Sequence, residues 1–433
     1  MKKTTLLGLG LLISLSAHAG GILTNTNQHT SFLRMMARGA SHGIDAVYSN
    51  PAGTSFLTDG WRLSLNIQSA YQTRNIESTF GLYPEKTRLY KGNASAPIVP
   101  SLFASYNKGR WGVSGFMGVV GGGGKASFGS GLPMFDSQVM AGIYAKTKGA
   151  VTPAMYDINS AMKGNQFIYG GQFGGVYRFL PGLSGYAGVR VNYFFGNYSG
   201  YVTAKLKAVD QTLVDLHLNC DQTGWGITPI ISINYKYKGL TLAAKYEFMT
   251  NLNIENDTKE NSDPTGALAA FQDGVNTPND IPAYLSVAAG YEFTPKLRAT
   301  LEYHFFDDKH AGMAGHKEKA LTRGTNELLA GIEYDINKTF TISAGGQRTD
   351  YGLADGFQQN TAFSCDSWSV GLGAAVHFSK KVTMNVGYFT TMYQDYTKKV
   401  EAGNPGYNGT TLAGQDVYSR TNKVFGMGID YKF

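Results

Sequence analysis

Apolar residues in this chain alternate with polar ones instead of clustering. The alternating segments are joined in a strict rhythm of short turn, long loop, short turn. Short turns fall at Asn107–Arg110, Pro181-Gly182, Lys238-Gly239, Thr294-Pro295, Asn337-Lys338 and Ser379-Lys380. Long loops lie between them, at 73–97, 123–164, 207–221, 251–280, 307–321, 351–365 and 398–416. Successive side chains of a strand point to opposite faces, so an alternating segment has one apolar and one polar face. A sheet with all its short turns at one end and all its long loops at the other, built from about fourteen such strands, fits a membrane-spanning barrel. The expected fold class is therefore all-β: a transmembrane antiparallel barrel of about 14 strands.

The individual strands carry this reading. Trp61, Leu63, Leu65, Ile67 and Tyr71 share one face, and Arg62, Ser64, Asn66, Gln68 and Gln72 the other. Leu297, Ala299, Leu301, Tyr303 and Phe305 are opposed by Arg298, Glu302 and His304, and the chain ends on Phe425, Met427, Ile429, Tyr431 and Phe433. Aromatic residues at the ends of these faces suit the headgroup level of a bilayer. Composition agrees: charged residues are 16%, aromatics 13%, and there are 55 glycines and 27 tyrosines at a mean hydropathy of −0.19.

The chain opens with Lys2-Lys3, an apolar run from Leu6 to Leu15, and Ala17-His18-Ala19. This is the layout of a secretory signal cleaved before Gly20, since the run is shorter than the ~20 residues a spanning helix needs. The expected division is 1–19 signal peptide, 20–60 a hatch inside the barrel, and 61–433 the barrel itself. The net charge of +7 is scattered without a Lys/Arg run, which argues against a nucleic-acid partner.

Two cysteines, Cys220 and Cys365, fall near strand ends on the long-loop side. In an exported protein they either bridge loops over the mouth or remain free thiols. Their spacing fits no metal motif, and Asp307, Asp308, His310 and His316 read as solvated loop polarity. No G-x-S-x-G, H-E-x-x-H or paired C-x-x-C occurs, so no catalytic residue, metal or cofactor is assigned.

Loop 123–164 has helical spacing twice, at Val139, Met140, Ile143 and Tyr144 and at Ala154, Met155, Ile158, Ala161 and Met162. Two short amphipathic helices over the mouth are expected. Met140, Ile143, Tyr144, Met155, Ile158 and Met162 are the candidate surface for catching a hydrophobic ligand. Loop 251–280 has a similar patch at Ala267, Leu268, Ala270 and Phe271. The segment from Trp111 runs through Gly118 into Gly121, Gly122, Gly123 and Gly124, where glycines mark a bulge or bend. It is no phosphate loop, because Gly124-Lys125 is followed by Ala126.

One stretch, Ala37 to Gly53, does not alternate. Its Arg38-Gly39-Ala40-Ser41, Asp45-Ala46 and Asn50-Pro51-Ala52 resemble the N-terminal hatch of the FadL-type outer-membrane transporters of long-chain fatty acids and other hydrophobic molecules. The Trp111-Gly112 strand start and the terminal Phe433 are similar too. The hatch motif residues are then Arg38, Gly39, Ser41, Asp45, Asn50, Pro51 and Ala52. The resemblance implies a monomer in the Gram-negative outer membrane, in contact with its lipid and inserted by the barrel assembly machinery through Phe433. It implies passive uptake of a fatty-acid-like ligand: capture by loops, release by a shift of the hatch, and sideways exit at Gly118 and Gly121–Gly124. Gly20 to Gln28 lacks the phenylalanine expected near the start of such a hatch. Lys125, Lys146, Lys148 and Lys163 are the basic residues near the expected path. Other readings are a general porin or a barrel-embedded enzyme or adhesin.

Overall fold

The structure, a computed structural model, describes residues 23–433 apart from Asn25, Asp210, Pro264, Thr265 and Ala267. The expected signal peptide and Gly20–Ile22 lie outside the described residues, as does Ala267 of the 251–280 patch.

Burial is inverted relative to a water-soluble sheet. On the first strand Trp61, Leu65, Ile67 and Tyr71 are exposed, while Arg62, Ser64, Asn66 and Gln68 are buried. Leu65 is 64% exposed and its neighbour Ser64 0%. The same inversion recurs at Leu301, Leu328, Leu372 and Met427. Only a hydrocarbon solvent makes an outer belt of bare aliphatic side chains stable, so the barrel crosses a membrane with this belt in lipid.

The wall is built from β1 (Gly60–Phe80), β2 (Thr87–Lys108), β3 (Trp111–Phe128), β4 (Tyr156–Leu180), β5 (Leu183–Leu206) and β6 (Thr212–Tyr237). It continues with β7 (Leu240–Glu247), β8 (Asn253–Asn261), β9 (Asn276–Pro278), β10 (Tyr284–Thr294), β11 (Leu297–Phe306) and β12 (Thr325–Asp335). The last are β13 (Phe340–Asp350), β14 (Ser367–His377), β15 (Val382–Tyr393), β16 (Tyr396–Val400) and β17 (Gly414–Lys432). These make fourteen antiparallel staves, because three staves are broken. β7 and β8 both pair with β6, β9 and β10 pair with β8 and β7, and β15 and β16 both pair with β17. The ladder closes between β1 and β17, from Arg62↔Lys432 to Phe80↔Gly414. Closure leaves no sheet edge in lipid.

Several expected loops are in fact strand. β1 and β2 run through most of 73–97, and β5 and β6 leave only a tight connection where 207–221 was expected. Above the lipid belt the pattern reverses: Ile76, Phe80, Tyr90, Val214, Leu216 and Leu218 turn inward and are buried in an apolar cluster under the long loops, while Glu77, Thr79 and Asp215 face outward.

Loop 123–164 holds one helix, α3 as numbered along the chain after α1 (Thr30–Arg34) and α2 (Ala46–Ser49). α3 spans Pro133–Thr147, with Pro133 at its first turn and Lys148 closing it in the left-handed region at φ 50°. The expected second helix at Ala154–Met162 does not form. Pro153–Met155 is a single 3-10 turn, and Ile158 and Met162 lie in β4, paired with Ala204 and Gly200 of β5. Ladder bonds to a neighbouring strand outweigh a helical spacing of only nine residues.

Of the two alternatives open for the cysteines, the structure has the free thiols and not the bridge. Cys220 and Cys365 are free thiols, both buried in the apolar cluster beneath the long loops. Cys220 is held within the β6 ladder opposite Tyr198 of β5, and the Cys365 thiol points at the Tyr418 carbonyl at 3.6 Å.

Candidate functional site

The N-terminal segment lies against the inner wall all the way round. α1 packs on β13, β14, β15, β17 and β1, and the 3-10 helix Pro51–Phe56 packs on β2 to β7. Bare backbone allows the first contact: a Cβ on Gly371 would sit 2.4 Å from the Leu33 carbonyl oxygen, and one on Gly387 2.8 Å from the Leu33 Cβ. Around Asn50-Pro51-Ala52 each residue has its own task. Asn50 accepts from the Gly53 N–H at 3.3 Å and donates to Asn234 of the wall at 2.7 Å. Pro51 starts the helix, where its missing N–H costs nothing. Ala52 donates its N–H to Ser232 and accepts from Ser184, both at 2.8 Å, with its methyl in a pocket of Val176, Tyr186 and Ile230.

The remaining motif residues form a buried charge cluster. Arg38 Nε donates to Asp45 at 2.7 Å, Ser41 bridges the two, and the Gly39 N–H donates to Glu302 of β11 at 2.7 Å. Burial pushes the Asp45 carboxyl up, but the Arg38 guanidinium more than offsets this and holds it well below the usual carboxylate range. Arg34 pairs with Glu333 of β12, which also takes Arg298 at 2.6 Å. Burial and the nearby Lys236 ammonium bring the His42 imidazole down to about 4, so it is neutral against the Phe56 ring.

A cavity of ≈ 210 Å³ lies on the other side of this segment. Thr24, Asn27, Gln28, Phe32 and Leu33 form its floor, and Phe128, Leu132, Met162 and Phe363 much of its apolar upper wall. Its outer wall is the place where β2 and β3 part. Their ladder runs from Gly92↔Phe128 to Ser95↔Lys125, stops, and resumes at Leu102↔Met117. Residues 96–101 of β2 thus face 118–124 of β3 without ladder pairs. On β3 the pairing with β4 also slips on both sides of Gly121, and Gly122 and Gly124 have φ of +113° and +70°. A side chain at Gly122 would meet the Gln166 carbonyl at 2.3 Å, so the bend requires glycine. Ala96, Val99, Val119, Gly121, Gly122 and Gly124 line the cavity along this break.

At the upper end of the cavity two guanidiniums stand side by side. Arg74 and Arg420 are cross-strand partners in the β1–β17 ladder. Arg74 stacks on Phe363 and Arg420 on Tyr393 at 4.9 and 4.7 Å, and both reach toward the Phe363 carbonyl. Among the described residues neither has a carboxylate partner. Like charges set opposite each other in a sheet repel, so this end of the cavity suits an anion.

No protein-family model matches the chain, and no curated protein matches it in sequence. Solved structures do resemble it. A Pseudomonas aeruginosa FadL homologue superposes on 96% of this chain and 100% of its own, with a TM-score of 0.67 at 13% identity. The Pseudomonas putida toluene transporter TodX covers 98% and 100%, with a TM-score of 0.58 at 16% identity. The Ralstonia pickettii toluene transporter TbuX covers 90% and 94%, at 0.53 and 13%. The chain has the FadL-type fold.

Within this FadL-type barrel the expected site residues separate into three groups. The seven motif residues come together between the inner wall and the segment. The glycines come together at the break in the wall, with Gly118 and Gly121–Gly124 all inside the unpaired stretch of β3. The capture residues do not share a surface. Met140 and Ile143 are buried under α3, Met162 lines the cavity, Ile158 is half-buried, and only Tyr144 and Met155 are exposed. α3 is not the amphipathic helix expected: Pro133 to Met140 are buried on every side, the polar Asp136, Ser137 and Gln138 included. None of the four lysines lines the cavity; Arg74 and Arg420 do. Arg74 lies where a loop was expected, and its opposition to Arg420 appears only once the barrel closes. Pro97 and Pro100, two residues without an N–H in a wall strand, were an available signal for the break on the β2 side.

Proposed function

We propose that the protein is a passive outer-membrane uptake channel for small hydrophobic molecules that carry a carboxylate, long-chain fatty acids being the simplest case. The observation that carries this reading is the placement of one cavity between the N-terminal segment and the break in the wall. A ligand enters from the long-loop side past α3. Its acyl part lies against Phe128, Met162 and Phe363, and its headgroup lies between Arg74 and Arg420. The floor of the cavity, Thr24 and Thr26 to Gln28, must shift to release it, and the break between β2 and β3 lets it leave sideways into lipid. This route keeps an apolar molecule out of both the aqueous lumen and the polar outer leaflet surface.

The lumen-filling segment favours this reading over a general porin. Most residues from Asn27 to Ser55 are buried, Arg38–Asp45 braces the segment internally, and Arg34–Glu333 and the Gly39 N–H bond to Glu302 pin it to the wall. The fold shared with TodX and TbuX, described as toluene transporters, supports a hydrophobic cargo over a reaction. Removing Gly20–Gly53 tests the reading. The truncated barrel should show a large, ungated conductance in planar bilayers where the full protein shows little. Equal conductance of the two would overturn the gating role, and a full-length protein that conducts small ions freely would favour the porin.

A further inference from the structure

We infer that Pro97 and Pro100 of β2 are positioning residues for lateral exit, holding the wall open opposite the β3 glycines; the inference rests on the uptake reading above. The glycines explain only half of the break. They bend β3, but a bent strand in hydrocarbon still gains from re-pairing, since unpaired backbone groups are costly where water is absent. What prevents re-pairing must lie on β2 as well.

Three features of β2 do this. First, Pro97 and Pro100 lie inside the six-residue stretch, 96–101, that has no partner on β3, and each lacks the N–H a ladder needs. Second, β2 keeps its other partner through the same stretch. Its pairing with β1 runs through Ile67↔Pro100 and Gln68↔Val99, so the strand is still anchored in the wall. Third, that pairing bulges at Ser69, and the Ser69 hydroxyl donates to the Pro97 carbonyl at 2.5 Å, giving an acceptor displaced from the ladder a partner of its own. Ile98, between the prolines, is 72% exposed and lies on the outer surface beside the break. The prolines thus deny donors on one side of the opening, and Gly122 and Gly124 divert the backbone on the other.

The test uses the full chain with Pro97→Val, Pro100→Val and both together. Hydrogen exchange of 96–101 and 118–124 is measured alongside uptake of a fluorescent long-chain fatty acid into vesicles and its equilibrium binding to the protein. Closing the ladder should raise amide protection across the break by roughly fivefold for each bond restored. Uptake should slow severalfold while equilibrium binding stays as in the natural protein, because the cavity itself is untouched. Unchanged protection in the double variant would overturn the inference, as would a closed ladder with unchanged uptake. Failure of both single variants to fold would assign the prolines to assembly and also overturn it. If the natural protein fails to move the probe, the uptake reading falls, while the exchange comparison still decides what the prolines do.

Discussion

Arg74 of β1 and Arg420 of β17 stand directly opposite each other in the ladder that closes the barrel, two guanidiniums at the end of one cavity with aromatic rings beneath them. A sheet gains nothing from such a pair on its own, and it is here that the proposed carboxylate headgroup lies.

Replacing either arginine with glutamine should weaken binding of a long-chain carboxylate by about tenfold to a hundredfold, the worth of one hydrogen bond to a charged group at about 1.5–3 kcal/mol. Binding of the matching long-chain alcohol should not change. The same substitution should leave the barrel slightly more stable, by about 0.2–1 kcal/mol, since it removes a cross-strand repulsion. Titration with both ligands and a thermal melt check this; equal losses for acid and alcohol would refute the headgroup assignment.

Asp45→Asn should loosen the N-terminal segment by about 3 kcal/mol, because it leaves the buried Arg38 guanidinium short of its nearest carboxylate. Arg38 keeps a weaker contact with Glu333 at 3.5 Å, which limits the damage. Folding depresses the Asp45 pKa, so its contribution is fully present above the unfolded carboxylate value of ~3.9 and is lost as pH falls through the folded value. The natural protein should therefore stay closed at neutral and mildly acidic pH, and the variant should show intermittent conductance there. Single-channel recording across pH distinguishes the two.

Cys365 should resist alkylation in the folded barrel at neutral pH. Burial pushes its thiol up to about 11, and the group is fully covered. Under denaturing, non-reducing conditions both cysteines should label, giving two adducts per chain by mass. A chain that takes none without a reductant would contain the bridge that the structure lacks.

How much of this was legible depends on which solvent each residue meets. Where Leu65 and Ser64 alternate between lipid and lumen, the pattern is plain in the sequence. Where β1 continues past Tyr71 toward Phe80 it leaves the bilayer, and its apolar residues Ile76 and Phe80 turn inward instead of outward, so the pattern read on Trp61–Tyr71 breaks although the strand does not. Met155 to Met162 misled differently, since helical spacing in a short stretch meant less than the ladder to β5. The cap and helix start of Asn50-Pro51-Ala52 are local, its contacts with Asn234, Val176, Tyr186 and Ile230 of the wall appear only in the fold, and the motif was legible through its resemblance to the FadL-type hatch. Arg74 and Arg420 were not, because they lie 346 positions apart and meet only on closure.

The ties of the N-terminal segment are unevenly distributed. Toward β11 and β12 it is held by Arg34, the Gly39 N–H and the carboxylates of Glu302 and Glu333. Toward β1 and β2 it is held by hydrogen bonds without a carboxylate, among them Gln68 to the Asn27 carbonyl and Ser101 to the Gln28 carbonyl, each 2.8 Å, and the Thr30 N–H to Asn66 at 2.9 Å. It is hung like a door, with hinges on one jamb and a light latch on the other. The latch side is the side of the broken ladder, so on the proposed uptake route the first residues to swing free would be those that bar the way into the lipid.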